Sequence, residues 1–299
     1  MAQNNLTGYV IKQLSAFALL TLFFPFLPAV AETIEAKLPK GITVTANFNS
    51  GQPSQPAVLL LHGFLQTHQS LPLSALANNL TASGYTTLSP TLSLGINKRS
   101  QSMPCEAVHT HTAEEGVAEI AYWVNWLHQK NHKNIVLVGF SSSGTVEILL
   151  YNAQGSHPAI KKTILTSLFP IAIDPAELQK VRSEMNARRK TDLQKPESFN
   201  LGYCKRNFFA TANSYLSYAQ FDANRVLELI KQSPLPLDII LGADDAILPE
   251  KWVSRINALQ SPAKIRSIDK ANHFFDGTNE FDLAEEVDAI LKNLAAQPS

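Results

Sequence analysis

Two spacings of apolar residues alternate along this chain. Pro56–Leu61 is a continuous apolar run, the pattern of a strand buried on both faces. Strand-like runs recur at Asn134–Gly139, Lys162–Ser167, Leu235–Leu241 and Lys264–Ile268, with Thr33–Lys37, Ile42–Asn47 and Tyr85–Leu88 earlier in the chain. Between them lie helical patterns at Leu73–Ala82, Thr112–Gln129, Thr145–Asn152, Pro249–Leu259 and about Glu280–Ala295. The clearest is Thr112–Gln129. Thr112 serves as N-cap with Glu115 three residues on, and Val117, Ile120, Ala121, Val124 and Leu127 share one face. Strands alternating with helices predict an α/β fold, a mostly parallel central sheet with helices on both faces.

Residues 170–233 interrupt the alternation. They carry a charged stretch, Lys180 to Glu197, and then an aromatic one with Tyr203, Phe208, Phe209, Tyr215 and Tyr218. This segment is expected to form an inserted cap over the carboxyl ends of the strands. Its Arg182, Arg188, Arg189 and Lys190 are interleaved with acids, as on a solvated helix face. The aromatics read first as packing beneath a cap, and they also suit an apolar acyl pocket.

The amino-terminal pattern belongs to neither spacing. Lys12 precedes an almost wholly apolar stretch, Leu14 to Val30, which ends in the small-x-small sequence Ala29-Val30-Ala31. Residues 1–31 therefore read as a secretory signal peptide, with an uncleaved anchor as the rival; Pro25 and Pro28 favour cleavage. The expected mature chain, 32–299, suits one domain with an insertion, exported to the periplasm or the medium and without a stable membrane anchor. Acidic and basic residues balance at 25 each, and removing 1–31 takes away only Lys12. That balance points away from nucleic acid as a partner and leaves the oligomeric state open. In an exported chain, Cys105 and Cys204 can pair as a disulfide; two free thiols are the alternative.

The candidate chemistry starts at Gly139-Phe140-Ser141-Ser142-Ser143-Gly144. A strand that turns sharply into a helix exposes the side chain at the tip of the turn, and small neighbours let the backbone pass. Ser141 holds that place, with Ser142 and Ser143 as rivals. Ser143 stands where the pattern G-x-S-x-G has its second glycine, and its Cβ is expected to add bulk to the turn. Asp245 follows a later strand and His273 the next one.

The order Ser, Asp, His, together with His62-Gly63 after a strand, Gly242-x-x-Asp245 before Leu248-Pro249, and Asn272-His273-Phe274 before the last helix, resembles the α/β-hydrolase fold family. The resemblance covers nearly all of 33–296 except the cap. It implies a serine hydrolase, esterase-like, with Ser141, Asp245 and His273 as a catalytic triad. It further implies an oxyanion hole from the backbone N–H groups of Phe64 and Ser142, an acyl-bearing small molecule as substrate, and neither cofactor nor metal. Asp244 and Asp174 remain open as the acid. A thioesterase, a peptidase or a non-catalytic binding protein on the same frame also remain open, because fold and triad do not fix the acyl group.

Residues 93–112 are polar and irregular. Cys105, His109 and His111 are of metal-ligating types, but their spacing matches no common zinc pattern, and a disulfide would consume Cys105. Lys98 and Arg99 read as a solvated turn or, since the loop leaves the carboxyl end of a strand, as contacts to an anionic substrate group.

Overall fold

The computed structural model describes residues 1, 31–39, 41–187, 194–259, 261 and 263–295. The apolar stretch Leu14–Val30, read as an export signal, and Arg188–Lys190 of the cap lie outside them.

The central sheet has eight strands: β1 (Glu32–Lys37), β2 (Thr43–Asn49), β3 (Ala57–Leu61), β4 (Thr86–Thr91), β5 (Ile135–Phe140), β6 (Ile160–Thr166), β9 (Leu237–Gly242) and β10 (Lys264–Ile268). Their spatial order is β1-β2-β4-β3-β5-β6-β9-β10. β2 runs antiparallel to both β1 and β4, and every other pairing is parallel. The central strands are apolar throughout because both faces are covered. Val58, Leu60, Val136 and Val138 face one layer, formed by α1 (Leu73–Ala82) and α8 (Asn279–Ala295). Leu59, Leu61 and Leu137 face the other, with α2 (Ala113–Gln129) and α3 (Ser141–Ala153). That split is the two-residue period of a strand written in its neighbours.

β4 runs through Pro90 to Thr91, three residues further than the sequence pattern implies. Its pairing with β3 ends at Leu88, so the N–H that Pro90 lacks costs no bond on that side. α2 begins as expected, with a reciprocal capping box between Thr112 and Glu115. α3 begins at Ser141, four residues earlier than its apolar pattern suggests.

Residues 170–233 contain α4 (Pro175–Ala187), a hairpin of β7 (Glu197–Leu201) and β8 (Cys204–Ala210), α5 (Ala212–Ala219) and α6 (Ala223–Gln232). α6 packs on α3 and so takes part in the helical layer over the sheet; α4, α5 and the hairpin depart from the alternation. Phe208, Tyr215, Tyr218 and Phe221 are fully buried, so these aromatics are packing. The remaining helix, α7 (Trp252–Asn257), anchors by Trp252, whose indole N–H donates to Leu168 O at 2.7 Å. Among the described residues no helix is long and apolar enough to cross a membrane.

Cys105 and Cys204 are bonded, with their Cα atoms 5.6 Å apart. The bond ties the loop after β4 to the start of β8. Backbone bonds continue the seam: Phe209 N–H donates to Cys105 O, His109 N–H to Phe209 O, and Thr211 N–H to His109 O. The 93–112 loop is thus stitched to the hairpin as a partial third strand.

Candidate active site

Ser141 sits where β5 ends and α3 begins, with φ at 60°. A non-glycine residue in this left-handed region carries on the order of 1–3 kcal/mol of strain, held only where the surroundings over-determine it. Here the surroundings are the two chain segments pressed together behind the turn. A Cβ placed on Gly144 would meet Leu61 O at 2.7 Å and His62 O at 2.6 Å, both backbone atoms that cannot swing aside. Gly144, rather than residue 143, is therefore the position that needs a glycine. Ser143 does not crowd the turn as its Cβ suggested. It is buried within the first turn of α3.

The three far-separated side chains meet at this turn. Ser141 Oγ lies 3.0 Å from His273 Nε2, and His273 Nδ1 lies 2.8 Å from Asp245 Oδ2. Asp245 follows β9, and its other oxygen accepts from Ile247 N–H at 2.9 Å, which fixes the carboxylate plane. The loop carrying His273 is held by Ser167, whose hydroxyl donates to His273 O at 2.7 Å. Rings of Phe140, Phe169 and Phe274 surround the imidazole, with centroids 5.0–5.5 Å away. His273 and the Asp245 side chain are almost wholly shielded from solvent.

The rival positions are occupied otherwise. Asp244 is exposed, and Asp174 Oδ1 accepts from Ala176 and Glu177 N–H at the start of α4. Ser142 and Ser143 are buried beneath Ser141. Ser142 lies in the first turn of α3, where an N–H has no helical carbonyl four residues before it. The loop bearing Phe64 runs alongside: a Cβ on Gly63 would stand 3.1 Å from Ser141 Cβ. The Phe64 ring is buried against Tyr203, Phe208 and Tyr218 of the cap.

What holds that loop has no signature in the local residue pattern. Arg99, expected on a solvated turn or against an anionic substrate, is buried. Its guanidinium donates to Leu92 O at 2.6 Å, Gln66 O at 2.7 Å and Gln101 O at 2.8 Å, and lies 3.2 Å from His62 Nε2. Burial lowers its pKa to about 10, with partial compensation from the Glu119 carboxylate, so it remains a cation. Burial, and then the Arg99 charge, drive the His62 pKa down to about 3. The neutral imidazole donates from Nδ1 to Gly63 O at 2.8 Å, and Nε2 accepts from Leu92 N–H at 3.1 Å. His62 therefore braces the loop and holds no spare proton. Lys98, beside Arg99, is exposed and pairs with Glu35 at 2.6 Å.

Two acids complete the buried layer. Glu119 on α2 accepts from the backbone N–H of Ser93 at 2.9 Å and from its hydroxyl, yet burial still raises its pKa. Glu147 on α3 is fully enclosed, and its pKa is pushed up to about 8 by burial and by Glu119. With Cys105 in a disulfide, its thiolate is not on offer as a ligand; His109 stacks on Phe208 at 4.5 Å.

A hydroxyl, an imidazole and a carboxylate bonded in series at the carboxyl edge of a parallel sheet form an arrangement suited to activating the hydroxyl. The chain belongs to the alpha/beta hydrolase family, whose model matches residues 58–286. Among solved structures it is similar to the alpha/beta hydrolase GrgF from Penicillium sp. sh18, with 17% identity over 90% of this chain and 100% of that one, at a TM-score of 0.68. It is also similar to Est1E from Butyrivibrio proteoclasticus, with 17% identity, 89% and 99% coverage and a TM-score of 0.63. A third likeness is to DcsB, solved with its substrate analogue, with 15% identity, 90% and 100% coverage and a TM-score of 0.69. At these identities the likeness is one of fold. A comparison with curated protein sequences gives no match.

Proposed function

We propose that the protein is an exported serine hydrolase that cleaves carboxylic esters through an acyl-serine intermediate. The observation that carries the reading is the continuous relay from Ser141 Oγ through His273 to Asp245, at 3.0 and 2.8 Å. Ser141 Oγ attacks the ester carbonyl carbon while its proton passes to His273 Nε2. The carbon–oxygen bond to the alcohol breaks, and the alcohol leaves with that proton. Water then attacks the acyl carbon and gives a proton to Nε2. His273 returns it to Ser141 as the carboxylic acid departs. Asp245 holds the imidazole in the Nδ1–H tautomer and stabilises the imidazolium.

In each half-reaction negative charge gathers on the former carbonyl oxygen. The backbone N–H groups of Phe64 and Ser142 receive it, and one such donor is worth about 3–4 kcal/mol in the transition state. The aromatic ring of residues around His273 excludes water from the imidazole. Exposed Tyr203, Ile247 and Phe274 stand next to Phe64, Asp245 and His273 respectively, and these apolar side chains support an acyl or alkoxy group of apolar character.

Export is supported by the signal-like residues 1–31 and by the bonded pair Cys105–Cys204, a bond that persists in oxidising compartments. A panel of p-nitrophenyl acyl esters graded by chain length, run beside thioester and aminoacyl substrates, tests the chemistry. Oxygen esters should be turned over, and Ser141→Ala should reduce the rate at least about 1,000-fold. Strong preference for thioester or aminoacyl substrates would replace the esterase reading with a thioesterase or peptidase.

A further inference from the structure

The loop that carries Phe64 is held by its carbonyl groups. Gly63 O accepts from His62 Nδ1 at 2.8 Å, and Gln66 O from Arg99 at 2.7 Å. The two carbonyls between them are held by other segments. Phe64 O accepts from the Tyr203 hydroxyl at 3.4 Å, and Leu65 O accepts from Met103 N–H at 2.9 Å. The Tyr203 ring also stands edge-on to the Phe64 ring, with centroids 5.9 Å apart. Met103 lies two residues before Cys105, and Tyr203 one residue before Cys204. The disulfide therefore joins the two segments that hold Phe64 and Leu65.

Leu65 shows why this stretch needs holding. It is buried, and its φ is 59°, in the left-handed region that a bulky side chain avoids. Such a backbone persists only where its surroundings over-determine it. Arg99 anchors Gln66 on one side, so a turn about the Leu65 N–Cα bond swings Phe64 and its N–H on the other. The backbone seam between the 93–112 loop and the hairpin meets the hairpin strand at Phe209 and continues to Thr211. The disulfide meets it at Cys204, next to the turn that bears Tyr203. The seam keeps the two segments together when the disulfide is absent, but it does not reach that turn.

We propose that the Cys105–Cys204 disulfide and Tyr203 are positioning groups for catalysis, which hold the Phe64–Leu65 backbone so that the Phe64 N–H meets the oxyanion. The proposal rests on the serine-hydrolase reading above. The disulfide touches no reacting atom and acts through Met103 and Tyr203. The donor it positions matters most when charge has gathered on the substrate oxygen, so its loss falls on kcat more than on KM.

The full chain, freed of residues 1–31, is the material for the test. Cys105→Ala with Cys204→Ala removes the bond. Tyr203→Ala keeps the bond and alters an exposed side chain. Turnover is expressed per active site, titrated with a fluorophosphonate, so that a smaller folded fraction does not count as slower catalysis. Removing an oxyanion donor outright costs about 100–1,000-fold in kcat; displacing one should lower kcat for p-nitrophenyl butyrate about tenfold or more in the cysteine pair, with KM within about twofold. Butylboronic acid, which forms a tetrahedral adduct on a serine hydroxyl, should weaken by a similar factor. In Tyr203→Ala, kcat should fall about threefold or more, and amide hydrogen exchange of residues 63–67 should quicken while that of β5 keeps its rate. A disulfide that adds only stability would lower Tm and leave kcat per site and boronate affinity unchanged, and that result overturns the proposal. If the cysteine pair does not fold, unchanged kcat and unchanged exchange in Tyr203→Ala overturn it. An unaltered protein that neither takes up phosphonate nor hydrolyses esters overturns the serine-hydrolase reading and the proposal with it. An active unaltered protein with indifferent variants overturns the proposal alone.

Discussion

Replacing Arg99 with methionine keeps an unbranched stem in the buried channel and removes the guanidinium. Three carbonyls, those of Gln66, Leu92 and Gln101, then lose a charged donor within 2.6–2.8 Å, and Glu119 loses its counter-charge. Each hydrogen bond to a charged group is worth about 1.5–3 kcal/mol, but the losses do not add, because water enters and the loops relax. A buried acceptor left unsatisfied costs about 1–3 kcal/mol, and for three carbonyls with partial relaxation we take about 3–5 kcal/mol as the total. For a domain of this size it corresponds to a fall in Tm of about 6–20 °C. The same loop carries Phe64, so kcat for p-nitrophenyl butyrate should fall more than KM rises. Arg99→Lys should recover little, since an ammonium cannot reach carbonyls on three sides of a planar fork. Thermal unfolding by circular dichroism and steady-state kinetics provide the readouts. A Tm within 2 °C of the unaltered protein, with unchanged kcat, would refute the idea that this guanidinium holds the loop.

Three further outcomes follow from other parts of the fold. Gly144→Ala forces a Cβ to within 2.7 Å of two backbone carbonyl oxygens, so it should cut ester turnover and lower Tm, whereas Ser143→Gly should leave the turn intact; both are read by the same assays. Cys105→Ser with Cys204→Ser opens a loop of sequence separation 99, worth about 4–5 kcal/mol by chain entropy, and denaturant unfolding should show a loss of that size. Glu147 keeps its proton to about pH 8 in the folded chain but releases it near pH 4.5 when unfolded. The folded state therefore binds more protons between these values. Stability from this group is complete below pH 4.5 and declines by up to about 1.4 kcal/mol per pH unit until pH 8. Glu147→Gln should flatten that slope in urea unfolding measured across pH 5–8, and an unchanged slope would place the titration elsewhere.

What could be read from the chain divides along physical lines. Strand β5 and the residues Ser141, Asp245 and His273 were legible because a buried strand leaves an unbroken apolar run, and because the three residues each follow one strand of a parallel sheet. The aromatics of 208–221 were legible as packing for a similar reason. Arg99 was not, because a Lys-Arg pair in a polar loop has the same local pattern whether solvated or enclosed; only the meeting of Gln66, Leu92 and Gln101 in space distinguishes them. Glu119 did leave a trace. It falls three residues after Gly116 and four before Trp123, on the buried side of α2, where a charged residue is out of keeping with its neighbours. At Ser143 the motif position and the steric position differ: the close approach to the end of β3 falls one residue later, at Gly144.

The central proposal is that His273 and Asp245 make the Ser141 hydroxyl a nucleophile, and the most direct test is to locate the adduct of a fluorophosphonate by peptide mass mapping. A single adduct is expected on the peptide that contains Ser141. It should disappear in Ser141→Ala and form far more slowly in His273→Ala. An adduct that persists in Ser141→Ala, or a correctly folded chain that takes up no label, would contradict the account.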